Sequence, residues 1–232
     1  MRTRKIAKSP IADLAKIPPR GESDHGVALD EAELRKLLDG FRDHPLHVIV
    51  NVAAFTGGRR SEILALKWEN FDPIARTLRI EGSVEHTRRY GLRVKGPKSA
   101  RGVRTIEIDA GLVTLLLAER DRHLRIVAGV PDGVDVNLSL VKLPPGALMF
   151  PALPAPGEQL SLTKLRPPQG VTESFQKRAA RNRIFGPTIS RLARHARDHV
   201  ARHGDPGARR RRAGRTRSGS PVTQLRQAHQ EG

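Results

Sequence analysis

The sequence predicts an α+β fold, mainly α-helical with a small antiparallel β-sheet. Two observations carry this. Apolar residues recur at helical spacing between Asp30 and Leu66, from Ala110 to Arg125, and from Thr172 to Arg183. Between the first two stretches lie short β-rich runs, Thr77 to Ile80 and Gly102 to Ile108, too brief for more than a small sheet. With 38% apolar and 28% charged residues, the 232-residue chain has material for one sizeable core or two small ones.

In chain order, residues 1–26 are basic and punctuated by Pro and Gly without a sustained period. They read as a linker, and folding is expected to begin near Val27 in a unit that runs to residue 188. Asp30 can cap a helix whose third position is Glu33, a capping-box pairing, with Leu34, Leu37, Leu38 and Phe41 on one face. A second helical run follows Pro45 and stops at Gly57-Gly58. The period resumes from Ser61 to Leu66, so two helices meet at a glycine corner. The two β-rich runs flank a polar, Gly-bearing middle and should pair antiparallel. Residues 127–170 hold many of the prolines and glycines and one apolar patch, Ala147 to Phe150, which predicts loops around a short buried strand.

Past residue 188 the texture changes. Residues 191–232 contain eleven arginines against Asp198, Asp205 and Glu231, a net charge of +8, with few large apolar residues. Such a stretch cannot build a core and is expected to be an irregular basic tail.

Charge then narrows the partner. A formal net charge of +18 calls for a polyanion, because clustered Lys and Arg gain affinity by displacing condensed counterions from nucleic acid. No run of roughly 18 apolar residues exists to span a bilayer, and the basic start lacks an apolar signal core. The expected setting is therefore the cytosol, with no membrane partner. The chain has no cysteine, which excludes a disulfide framework, a Cys-based zinc site and a thiol nucleophile.

The chemistry begins at the glycine corner, Phe55 to Trp68. Glycine lets the backbone turn tightly, and an arginine opening the next helix can present its planar fork to a phosphate. The alternative is that Arg59 and Arg60 are solvated charges after a helix break.

The segment Thr56-Gly57-Gly58-Arg59-Arg60-Ser61-Glu62, followed by apolar residues, Trp68 and Asp72, resembles the first arginine box of the tyrosine recombinases, the phage-integrase family. Gly96-Pro97-Lys98-Ser99 and Arg104-Thr105-Ile106 are similar to the elements flanking that family's catalytic lysine. Ala147 to Pro151 and the helix at Thr172 to Arg183 are similar to what the family places next, so the resemblance covers residues 27–188.

What the resemblance implies is a transesterification that needs neither metal nor cofactor. A tyrosine attacks a phosphodiester of double-stranded DNA while arginines, a lysine and histidines stabilise the charge of the transition state. Arg59 would clamp the non-bridging oxygens, Glu62 would hold Arg59, Arg104 would support them, and Lys98 would protonate the leaving oxygen, with Lys95 as a rival. Gly58 departs from the family's larger apolar residue, which predicts looser packing behind Arg59.

The rest of the family's machinery is missing. It requires an H-x-x-R box, a G-[HW] pair and the nucleophilic tyrosine, all C-terminal to these elements. The sequence contains one tyrosine, Tyr90, which precedes Lys98 and reads as a hairpin aromatic, so no nucleophile is assigned. His199 to Arg202 has the H-x-x-R spacing, but neither of the other elements follows it.

The genetic code offers a cause. If codons from Thr188 onward are re-read one base later, they can encode H-D-L-R, then A-G-H, then R-S-Y, in the family's order. Repeated C-G-N codons at Arg209 to Arg212 become Val-Val-Ala, and Asp198-His199 permits only Thr or Ile, of which Thr fits. A frameshift between about Phe185 and Ser190 is the expectation, together with a start shortened by the family's N-terminal DNA-clamping domain. Catalysis and oligomerisation through the C-terminal segment would then be lost. Apolar surface between Ala32 and Leu66 would be uncovered as well. Two alternatives remain, a non-catalytic DNA-binding module and an unrelated RNA-associated protein, for which 3% aromatic residues leave little base stacking.

Overall fold

In the computed structural model, the described residues are 29–96, 102–183, 188, 189 and 192. The expected linker at 1–26 and nearly all of the basic tail lie outside them. So does His199 to Arg202.

Helix α1 (Glu31–Gly40) begins as its capping box requires. The Asp30 carboxylate accepts from the Glu33 amide at 2.7 Å, and Glu33 accepts from the Asp30 amide at 3.0 Å. Helix α2 (His47–Thr56) is apolar nearly all round and accordingly central, with Ile49, Val50, Val52 and Ala53 buried. It stops where Gly57 adopts φ 65°, a left-handed conformation that glycine takes without a Cβ penalty. Helix α3 (Arg60–Ile63) is a single turn, shorter than the period through Leu66 predicts. Its successors Leu64 to Leu66 leave the helix to pack, fully buried, beneath a 3-10 turn at Trp68–Asn70.

Strands β1 (Phe71–Asp72), β2 (Thr77–Ile80) and β5 (Arg104–Glu107) form an antiparallel sheet in the order β1-β2-β5. The polar middle is itself structured, as a separate hairpin of β3 (Ser83–Thr87) and β4 (Gly91–Lys95). The apolar signal there is weak because the hairpin meets the core through few apolar side chains: Val84 is buried in it and Leu92 packs half-buried against it.

Helix α4 (Ala110–Ala128) is capped by Asp109, whose carboxylate accepts from the Leu112 amide at 2.9 Å, and ends at left-handed Gly129. Helix α5 (Pro168–Arg181) starts four residues earlier than the periodicity predicts. Pro168 stands in its first turn, where no amide donor is needed. Between these helices Ala147 to Phe150 is buried as expected, yet it is no strand. It makes one isolated bridge, Lys67 to Leu148, secured by Trp68 donating to Ala147 O at 2.9 Å and Met149 to Leu66 O at 2.9 Å.

The helices close around one core. Phe41 and Phe175 stack with centroids 5.0 Å apart, and the Gly40 carbonyl accepts from Arg178 Nε at 2.7 Å and Asn182 Nδ2 at 2.8 Å. Between Ala32 and Leu66, the large apolar side chain left exposed is Phe55, at the end of α2. Among the described residues no helix is long and apolar enough to cross a membrane.

Candidate functional site

The corner between α2 and α3 is assembled by short hydrogen bonds. Thr56 Oγ1 donates to Val52 O and accepts from the Gly58 amide at 3.1 Å, which turns the chain so that Arg59 leads into α3. Glu62, at the third position of that turn, is 8% exposed. Its Oε2 accepts from the Arg59 amide at 2.8 Å and its Oε1 from Arg59 Nη1 at 3.0 Å.

A second arginine arrives from the sheet. The pairing of Leu78 with Ile106 and Ile80 with Arg104 puts Ile106 and Arg104 on one face of β5, so the apolar residue that packs on the core also aims the arginine inward. Arg104 Nη2 then donates to Glu62 Oε2 at 2.7 Å and Nη1 to Oε1 at 3.3 Å, a forked pair. Burial opposes ionisation of Glu62. The hydrogen bonds from Arg104 and the Arg59 backbone, with both positive charges, outweigh it and hold the carboxyl below its ordinary range.

The outcome is asymmetric. The Arg59 side chain is 73% exposed while its anchor is closed off, so one carboxylate presents a cation to solvent in a fixed direction. Such a guanidinium can bind a phosphate oxygen. Of the residues singled out by sequence, the structure brings together Arg59, Glu62 and Arg104. Lys98 lies outside the described residues. Its rival Lys95 is at the end of β4, paired with Glu85 at 3.4 Å.

Gly58 corrects the sequence expectation. A Cβ there would stand 3.0 Å from Ile63 Cγ1 and 3.2 Å from Thr56 Oγ1, so the space behind Arg59 is already filled by those two residues. Packing is tight without a larger side chain. Tyr90 is half exposed at the β3–β4 turn, with the Arg93 guanidinium 4.1 Å and that of Arg89 5.1 Å from its ring centre. It is a hairpin aromatic in cation–π contact, on a different sheet from Arg104.

Two connections escaped sequence reasoning. Arg60 donates to Thr172 Oγ1, tying α3 to the first turns of α5. Behind the corner, the fully buried His123 accepts from Trp68 Nε1 at 2.9 Å. Its other nitrogen is 3.5 Å from Glu119 Oε1, long for a hydrogen bond, and Glu119 is itself gripped by Arg122. Glu119, Arg122 and His123 at helical spacing were a visible signal on α4. The partner Trp68, 55 residues away, was not.

Corner, sheet and helix order define the class of fold: it is similar to the catalytic-domain fold of solved tyrosine recombinases. No protein-family model matches the chain. A curated relative, the tyrosine recombinase XerC-like protein of Caldanaerobacter subterraneus subsp. tengcongensis, is 27% identical over 101 residues, which is 40% of this chain and 26% of that protein. Among solved structures, the Tn1549 transposon integrase in complex with a circular intermediate DNA superposes with TM-score 0.59 at 13% identity, over 84% of this chain and 60% of that one. The XerA recombinase gives 0.52 at 17% identity, over 81% and 53%. The chain thus spans less than two thirds of each of these proteins.

Proposed function

We propose that this chain is a DNA-integration or site-specific recombination protein reduced to DNA binding. It engages duplex DNA in the bacterial cytosol through the arginine corner and, as written, does not cut it. The observation that carries the reading is the buried Glu62 carboxylate, which fixes Arg59 and Arg104 while leaving Arg59 open to a phosphate. The XerC-like sequence relative and the DNA-bound Tn1549 integrase support a DNA partner. The lone tyrosine, clasped by arginines on the hairpin, supports the loss of cutting.

Two measurements test it. Affinity for a short duplex should fall steeply between about 50 and 200 mM salt, as phosphate contacts require. A nicked duplex that traps covalent intermediates should yield no protein–DNA adduct. Salt-independent or absent binding defeats the first half of the proposal; an adduct defeats the second.

We further infer that the codons after about residue 185 are read out of frame and that the unit at 27–188 is the preserved part. Reading the gene's nucleotides on independent DNA decides this. A neighbouring frame that spells H-x-x-R, G-H and Tyr, and forms the adduct once restored, supports the inference, and any other translation defeats it. Lys98 then takes the acid role with Arg59 in the restored protein, and subunit exchange returns with the C-terminal segment.

A further inference from the structure

A cavity of about 530 Å³ opens between the start of α2, the second half of α4 and the loop from Phe150 to Arg166, away from the arginine corner. Its walls are apolar at Val48, Ile126, Phe150 and Leu160. Its charged lining is unequal. Glu119 is committed to Arg122, with His123 behind it. Arg166 is different, for it makes no ion pair or hydrogen bond among the described residues although it is only partly exposed. Burial alone pushes its guanidinium below the ordinary value.

A half-buried guanidinium without an anion is costly, and proteins keep one chiefly where something supplies the missing charge. His44 strengthens the point. Its Nδ1 accepts the Leu46 amide at 3.1 Å, so the neutral ring carries its proton on Nε2 as a donor. Burial first, then the charges of Arg178, Arg166 and Arg181, disfavour a second proton on that ring. The cavity therefore offers two kinds of donor, apolar walls and one positive charge that no anion among the described residues neutralises.

We propose that this cavity binds an organic monocarboxylate with an apolar body, the carboxylate pairing with Arg166 and the body lying against Val48, Ile126 and Phe150. The walls select against inorganic phosphate, a small doubly charged ion that those apolar side chains would desolvate without compensation. The volume lies within the range of small-molecule sites.

Octanoate is the probe, titrated calorimetrically into the full chain. Binding with Kd below about 1 mM is expected. Octan-1-ol, with the same body and no charge, should bind at least about tenfold more weakly, because the guanidinium would stay unpaired. Arg166→Gln should bring octanoate down to the level of the alcohol. Equal affinity for acid and alcohol on the unaltered chain overturns the proposal, and that comparison holds even if the variant fails to fold. No heat of binding up to about 10 mM octanoate overturns it as well. Displacement of octanoate by inorganic phosphate at equal concentration would make the site a phosphate pocket and equally overturn it.

Discussion

The guanidinium of Arg104 reaches across 42 residues to fork onto the carboxylate of Glu62, the same carboxylate that takes the Arg59 amide and side chain. One buried anion thus orients two cations from different elements. Replacing it by Glu62→Gln keeps the shape but removes the charge and turns one acceptor into a donor facing the guanidinia. A loss of about 1–3 kcal/mol in urea unfolding is expected, with weaker duplex binding. An unchanged midpoint would show that the carboxylate holds nothing in place.

Arg59→Ala separates binding from folding. Its side chain is 73% exposed, so stability should stay within about 0.5 kcal/mol while the salt slope of duplex binding falls by about one phosphate contact. A variant with an unchanged slope would remove Arg59 from the interface.

Acid should act through Glu119, whose carboxyl is held down to about 2. Burial opposes its ionisation, but the His123 ring 3.5 Å away and the hydrogen-bonded guanidinium of Arg122 prevail. A depressed carboxyl stabilises the fold fully above its unfolded value of 4.5, and that contribution is lost as pH falls toward the folded value. Glu119→Gln should therefore cost about 2 kcal/mol at neutral pH and progressively less below pH 4.5. Chemical denaturation of both proteins across that range gives the comparison; a cost independent of pH would assign the effect to packing.

Trp68→Phe deprives His123 of the donor at 2.9 Å and leaves a fully buried ring with an unmatched Nδ1. The expected cost is about 2–3 kcal/mol, more than the lost apolar area alone. The double variant with His123→Leu should recover part of it, and strict additivity of the two changes would dissolve the coupling.

Gly58→Val introduces the kind of apolar side chain the family favours, yet here it should destabilise, by about 1–3 kcal/mol. The first added atom already falls 3.0 Å from Ile63 Cγ1. A raised melting temperature would show that Ile63 gives way and that the corner had room after all.

Much of this was legible in the sequence because the cues are local. The capping box at Asp30 and the glycine corner each follow from neighbours within a few residues, and the two β-rich runs that pair, Thr77–Ile80 and Arg104–Glu107, are each legible in their own composition. Glu62 beneath Arg59 is local as well. A hairpin around Tyr90 was expected, but the bounds of β3 and β4 were not, because a strand pair with little buried surface has little apolar alternation to read. The Ala147 to Phe150 patch announced burial but not geometry. A short apolar run is compatible with a strand or a single bridge, and the hydrogen bonds of Leu66 and Trp68 decided which. The Arg60–Thr172 and Trp68–His123 bonds are matters of tertiary approach, for which sequence spacing carries no signal.

The carbonyl of Gly40 has a bearing on when this protein can fold. Both donors that satisfy it, Arg178 and Asn182, are 138 and 142 residues further along the chain. At ribosomal speeds of roughly 5–20 residues per second, the end of the first helix waits on the order of ten seconds for its partners. During that interval Phe41 also lacks Phe175. The nascent chain thus emerges with its opening helix unlatched, and protease cleavage near Phe41 should vanish only once synthesis has passed α5.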